Sequence, residues 1–406
     1  MVLTDPSLIL FLVGVVIVLG FVVNYLFLKT GIADPLFLLL FGLFLGSYLR
    51  VIEPAALVPL APIFSQVALL IILVEGGMDT NLYEALKGGA HAILLAVVCF
   101  LLSMFAVAFV AVHFLGWELL HGLLLGAIVG NPTPLVVFSV VKRLGLKERT
   151  ATVLRLEATV AEILAIVTAL ALLESLATPQ PLPSAIIKDA ISRFSVGGML
   201  GIIAGVLWYF VLDRVRELPF SYMLTLAAAF IVFSIAESLG GSGPVSALLF
   251  GLTLGNEESI AYILRHEREI LRFDETMRAF HSEISFFIRA FFFVYLGAIC
   301  SVSQLDVIIH GVLISLTLLA ARIVSVVACT MKTNLWEDAA VMSLMLPRGL
   351  AAAVLATLVL SFADRFPGGI QDALAISELT FVVIFVTILM CTVGTCFFLR
   401  KKSTRS

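Results

Sequence analysis

The chain has 406 residues, of which 61% are hydrophobic and 13% charged, with a formal net charge of -3 and a mean hydropathy of +1.14. Soluble domains carry about 45–50% apolar and about 25% charged residues. The composition therefore excludes a disordered chain, a fibrous repeat and a nucleic-acid binder, and it argues against a soluble enzyme because the surplus apolar surface needs lipid as solvent. Cys99, Cys300, Cys329, Cys391 and Cys396 fall in or beside apolar runs and form no C-x-x-C pair, the pattern of small buried hydrophobes rather than of disulfides or a zinc site.

A membrane-spanning helix needs about 20 apolar residues. Thirteen such runs follow one another: 7–28, 35–49, 57–78, 90–116, 119–141, 150–176, 195–212, 219–239, 242–256, 283–303, 305–331, 336–362 and 374–399. The second and ninth are short. The first has neither the basic start nor the small-residue cleavage site of a signal peptide and reads as a retained span. Between the ninth and tenth, residues 257–282 alternate Ile260, Ile263, Leu264, Ile270, Leu271 and Phe273 with dense charges, including His266. That pattern predicts an amphipathic interfacial helix. With an odd number of spans and the N-terminus outside, seventeen of the 25 basic residues fall on the cytoplasmic side and four on the outer side, as the positive-inside rule requires.

Ionisable groups inside spans face protein or water and are functional candidates. In chain order they are Glu75, Arg155, Glu157, Glu162, Glu237, Arg289, Arg322, Arg348 and Glu378. The fifth span contains Gly130-Asn131-Pro132-Thr133-Pro134. Two prolines remove backbone donors and disfavour helix at the residues before them, so the helix should unwind there. Unwound backbone at membrane depth is tolerated where it lines a cavity, and transporters aim such broken helices at ions. In the sixth span, Glu157 and Glu162 lie roughly 140° and about 7.5 Å apart on a helix, which gives them separate roles. The twelfth span carries a second break, Pro347-Arg348-Gly349. The two breaks are seven spans apart, so their helices run in opposite directions, as in an inverted repeat.

These residues resemble the monovalent cation:proton antiporter superfamily, in its NhaP and sodium/proton exchanger branch. Pro132-Thr133-Pro134 stands where the family has T-D-P, and Lys142-Arg143-Leu144-Gly145 matches its K-R-L-G. Leu156-Glu157-Ala158-Thr159-Val160-Ala161-Glu162 stands in the register of its G-E-S-L-L-N-D. Val74-Glu75-Gly76-Gly77 resembles F-E-G-G, Ser242-Gly243-Pro244-Val245-Ser246-Ala247 resembles S-G-x-x-A, and Arg348-Gly349 matches the R-G of the twelfth span. Thr133 replaces the family aspartate, and Ala161-Glu162 replaces the asparagine–aspartate pair.

The resemblance implies an all-α polytopic membrane protein of about 13 transmembrane helices, with an inverted repeat and two broken crossing helices. It implies helices 1–3 (1–89) as scaffold and dimerisation elements and helices 4–6 (90–176) as core. Residues 177–304 supply a linker and helices 7–10, residues 305–399 core helices 11–13, and residues 400–406 a cytoplasmic tail. Glu162, Thr133 and Asn131 are then the cation- and proton-binding groups, with Glu162 and Thr133 as metal ligands and Glu75 admitting cations. Glu157 and Arg348 form a structural ion pair, and Pro132, Pro134, Pro347 and Gly349 break the helices. A carboxylate in partly buried surroundings binds a proton near neutral pH, and a cation at the same group competes with that proton. This implies a secondary antiporter of Na+, also Li+, against H+, electroneutral when Glu162 is the sole exchanging group. No cofactor is expected beyond the transported Na+ or K+ and H+. The implied partners are monovalent cations, protons, the lipid bilayer and a second copy in a homodimer, in the cell membrane with a cytoplasmic C-terminus. A potassium/proton antiporter is the alternative within the class. A cation channel is the alternative outside it, although no T-V-G-Y-G filter is present, and the absence of H-E-x-x-H speaks against a membrane enzyme.

Overall fold

The computed structural model describes residues 6–30, 34–49, 57–80, 89–176, 183–215, 218, 220–256, 275–300, 305–366 and 369–403. Among these residues every regular element is helical. The amphipathic segment expected at 257–282 lies outside them except for its last eight residues. In chain order the helices are α1 (Pro6–Thr30), α2 (Asp34–Leu43, continued by a π-helical turn Phe44–Tyr48), α3 (Ala61–Asp79), α4 (Ala90–Phe114), α5 (Leu119–Val129), α6 (Pro134–Leu144), α7 (Glu148–Leu176) and α8 (Pro183–Val215). They continue with α9 (Ser221–Ser238), α10 (Gly243–Gly255), α11 (Glu275–Ile299), α12 (Leu305–Thr330), α13 (Ala339–Ser343), α14 (Leu350–Leu358) and α15 (Ile370–Ser403).

All thirteen apolar runs carry helix. Among the described residues nine helices are long and apolar enough to cross a membrane, and the α5–α6 pair, bent by 41°, makes a tenth. The segments Pro35–Tyr48, Gly243–Gly255 and Leu350–Asp364 are shorter apolar helices. Thirteen full-length spans are therefore not reached by length and composition. The second and ninth runs are short as expected, and the twelfth is short because its break divides it.

The chain forms two compact units. The smaller comprises residues 66–87 and 178–288. In it α10 is flanked by α8 and by the second half of α3 at backbone contact. A Cβ on Gly197 or Gly201 would strike the carbonyls of Ser242 and Ser246, and one on Gly251 or Gly255 those of Val74 and Met78. Small residues of this kind let apolar helices approach where lipid removes any hydrophobic drive between them. The Glu237 carboxylate accepts the Gly243 N–H at 2.7 Å, so this in-span acid caps the start of α10. At the other end Asn256 Nδ2 donates to the Thr80 carbonyl at 2.8 Å.

The larger unit comprises residues 1–65, 88–177 and 289–406. Its centre is made by α4, α5, α7, α12, α14 and α15, with Ala158, Ala161, Ala165 and Ala169 of α7 and Ala351, Ala352 and Ala353 of α14 fully buried. The α4–α5 packing depends on Gly126, whose missing Cβ leaves room for the Met104 backbone. Helix α6 ends on Lys142 and Arg143, and Gly145 terminates it in the left-handed conformation (φ 55°). This is the physical content of the Lys-Arg-Leu-Gly motif.

Candidate ion site at the crossing of two broken helices

Both predicted breaks lie in the larger unit and meet there. Helix α5 ends at Val129; Thr133 is extended (φ -80°, ψ 126°), and Pro134 occupies the first turn of α6, where no N–H is missed. Helix α13 stops at Ser343, and α14 starts only at Leu350, after Pro347, Arg348 and Gly349. The Thr133 N–H donates to the Pro347 carbonyl at 2.8 Å, so one break hydrogen-bonds the backbone of the other. Gly349 faces Thr133 so closely that an added Cβ would lie 2.6 Å from the threonine Cβ. The Arg348 N–H donates to Thr387 Oγ1 of α15 at 3.2 Å, fixing the second break from its other side.

The crossing is buried and polar. Asn131 and Thr133 are 3% and 7% exposed, and Asn131 Oδ1 has no hydrogen-bond partner. A buried carbonyl without a donor is costly, and a bound cation is one group that satisfies it. Glu162 is half-buried on α7, one helix face away from the fully buried Glu157. Glu75 is half-buried on α3 in the smaller unit.

The expected Glu157–Arg348 pair is not formed. Glu157 is paired with Arg322 of α12, whose Nη1 donates to Oε1 and whose Nη2 donates to Oε2 at 2.9 Å. Both residues are 1% exposed. The same guanidinium donates from Nε to the Met342 carbonyl at 3.1 Å and from Nη1 to Cys99 Sγ at 3.4 Å. Arg322 thus ties α7 and α4 to the end of α13, where the Met342 carbonyl also accepts the Met345 N–H at 3.2 Å. Arg348 is equally buried and lies within electrostatic reach of Glu157 and Arg322, but its Nε has no hydrogen-bond partner. Arg348 sits in the break between α13 and α14, whereas Arg322 projects from an unbroken helix. The signal for Arg322 was present in the sequence: it is the sole charge of the 26-residue helix α12 besides Asp306 in the first turn.

Where α6 passes into α7, the exposed Lys147 pairs with the exposed Glu337 ahead of α13, and the Thr150 hydroxyl donates to Asp338 Oδ2 at 2.6 Å. The hydrogen bond and then the opposite charge hold Glu337 below the usual carboxylate range and Lys147 above the usual lysine range.

An all-helical polytopic bundle with two hydrogen-bonded helix breaks at its centre defines a membrane transporter fold. The structure of the sodium proton antiporter MjNhaP1 from Methanocaldococcus jannaschii superimposes with a TM-score of 0.83, covering 97% of this chain and 98% of that one at 21% identity. The transmembrane sodium/hydrogen exchanger family matches residues 12–401, and the chain belongs to that family. Among named relatives, the probable Na(+)/H(+) antiporter 2 of Methanocaldococcus jannaschii is 27% identical over 365 residues, 86% of this chain and 83% of that protein. The K(+)/H(+) antiporter NhaP of Alkalimonas amylolytica is 29% identical over 211 residues, and NhaP2 of Shewanella baltica 33% over 202. These matches span 36% and 35% of those longer relatives.

Proposed function

We propose that the protein is a secondary antiporter exchanging a monovalent cation for protons by alternating access, and that it has no enzymatic activity. Family membership supports the transport class. The observation that carries the reading is the crossing itself, where the orphaned Asn131 Oδ1 and the Thr133 hydroxyl offer oxygen ligands in a buried setting. Glu162 supplies the exchangeable charge: it binds either the cation or a proton, and the loser is released to the side then open. With one such carboxylate the exchange is electroneutral. Glu75 gathers cations, the working unit is a homodimer, and the protein lies in the cell membrane with its N-terminus outside.

Sodium is the first assignment, supported by the name of the relative matched over 83% of its length. Potassium is the second reading, favoured by the names of the two partial relatives and by Ala161 standing where the superfamily has its asparagine. Reconstituted proteoliposomes challenged with sodium, lithium and potassium across a range of pH decide between them. Dissipation of a pH gradient is expected with sodium and lithium, and Glu162→Gln should abolish it while leaving the protein monodisperse. Cation flux without coupled proton movement would overturn antiport, and near wild-type exchange by Glu162→Gln would overturn the role of this carboxylate.

A further inference from the structure

Three buried hydroxyls gather where α3 begins, α14 ends and α15 begins. Ser65 of α3 and Thr357 of α14 share a hydrogen bond of 2.8 Å, and both are fully buried in the larger unit. The Thr357 hydrogen points back to carbonyls of its own helix, Val354 at 2.9 Å and Ala353 at 3.2 Å. A hydroxyl has one proton to give, so the donor between the two helices is Ser65. Ser377 of α15, also fully buried, donates to the neighbouring Ala356 carbonyl at 2.9 Å. At 1.5 Å per residue, Thr357 stands about 12 Å along α14 from the second break. Just beyond it the helix tightens into a 3-10 segment, Val359–Arg365, interrupted by the non-helical Phe362 (φ -116°, ψ 17°). Segments of this kind have poorer hydrogen-bond geometry and often mark hinges.

The two ties on the end of α14 differ in kind. Helix α15 holds α14 at both ends, through Thr387 at the break and Ser377 at the last turn, so these two helices move as one. The tie to α3 is a bond between two hydroxyls, and breaking it orphans neither. Thr357 keeps its own carbonyls, and a helical serine can donate to the carbonyl four residues back, which for Ser65 is that of Ala61. The Arg322–Glu157 pair has no such fallback, because its rupture leaves charge buried. The same end also holds Ser361 Oγ in the 3-10 segment and Thr380 Oγ1, one turn after Ser377, both buried without partners. Water admitted there would satisfy both, which offsets part of the cost of opening.

We propose that the Ser65–Thr357 bond is a latch on the route between the ion site and the membrane face at which α14 ends, the outer face in the proposed orientation. The inference rests on the alternating access proposed above: the bond holds while the site is turned away from that face and opens when the site is turned toward it. Ser377 has the opposite duty and keeps α14 on α15 in both states.

The test places a cysteine at the ion site, Asn131→Cys, in the full chain. It is labelled with a membrane-impermeant maleimide in right-side-out and in everted vesicles, and the labelled peptide is identified by mass. Loss of one net hydrogen bond moves a two-state equilibrium by about fivefold. Ser65→Ala and the near-isosteric Thr357→Val should each raise labelling in right-side-out vesicles by about that factor, whereas Ser377→Ala should not raise it. Labelling that both latch variants leave unchanged in either kind of vesicle would overturn the proposal. So would an equal rise in Ser377→Ala, which is the signature of general loosening. A rise confined to everted vesicles would support the latch and overturn the orientation. Equal labelling from both sides in Asn131→Cys alone would overturn alternating access, and the latch with it. No cation is varied, so the outcome is independent of the sodium assignment.

Discussion

Arg322 gives four hydrogen bonds from one buried guanidinium: two to Glu157, one to the last turn of a broken helix and one to a thiol. Removing one partner of a buried pair leaves an uncompensated charge, typically at a cost of about 3–5 kcal/mol. Arg322→Met and Glu157→Gln should therefore each destabilise the purified protein strongly, and the double variant should be less damaged than the sum of the two. Denaturation of the four proteins in one detergent measures this coupling. Purely additive losses would mean that the pair contributes nothing as a pair. Arg348 paired with Glu157 in the same cycle should show much weaker coupling, because no hydrogen bond joins them. The carboxylate and both arginines were visible in the sequence as charges inside apolar runs. Which arginine takes the carboxylate was not, because that depends on how far α12 and α13 lie from α7, and residue spacing along one chain does not encode distances between helices.

At the scale of elements, the breaks were the most legible feature, since two prolines around a threonine and a Pro-Arg-Gly leave the backbone few helical options. That they would be joined by a main-chain hydrogen bond could not be read, because every residue carries the same N–H and C=O. Gly349→Ala tests the closeness of the crossing. The added methyl must displace Thr133, and overpacking of this kind costs about 1–3 kcal/mol. Thr133→Gly in the same chain should restore the lost thermal stability, a rescue that general damage to α14 would not show. The Lys147–Glu337 contact connects the α6–α7 turn to the approach of α13 through two fully exposed groups. Its stabilising effect is present above the ordinary carboxylate pKa and fades as pH falls through the lowered value of Glu337. At the alkaline end it persists below the ordinary lysine pKa and fades as pH rises through the raised value of Lys147. Solvent screening makes it weak. Lys147→Ala should thus change the melting temperature slightly at low salt and neutral pH, and not measurably at high salt.

The whole molecule carries its basic residues unevenly, and the α6–α7 connection alone presents Lys142, Arg143, Lys147 and Arg149 as exposed groups. On the positive-inside rule, the proposed orientation has this connection and the end of α15 in the cytoplasm. An epitope appended after Ser406 should be reached by antibody only after the membrane is permeabilised, whereas one placed before Met1 should be reached in intact cells. Labelling of both termini from one side would require an even number of crossings instead of the odd number expected from the charge bias. Composition disclosed the membrane, and charge bias disclosed the expected orientation. Two of the three short helices were already short in the sequence; the third needed coordinates, because a break divides an apolar run of full length.

The bond from the Thr133 amide to the Pro347 carbonyl has a consequence for mutational tolerance. The contact that joins the two breaks is made by main chain alone, so the identity of the side chains beside it is left largely open. In the proposed site, side chains at positions 131 and 133 can be exchanged without dismantling this frame, whereas a Cβ at position 349 must first displace Thr133. A change of side chain at position 133 thus separates the question of which ion is preferred from the question of whether the crossing forms, because the bond that joins the breaks leaves from the amide of that residue.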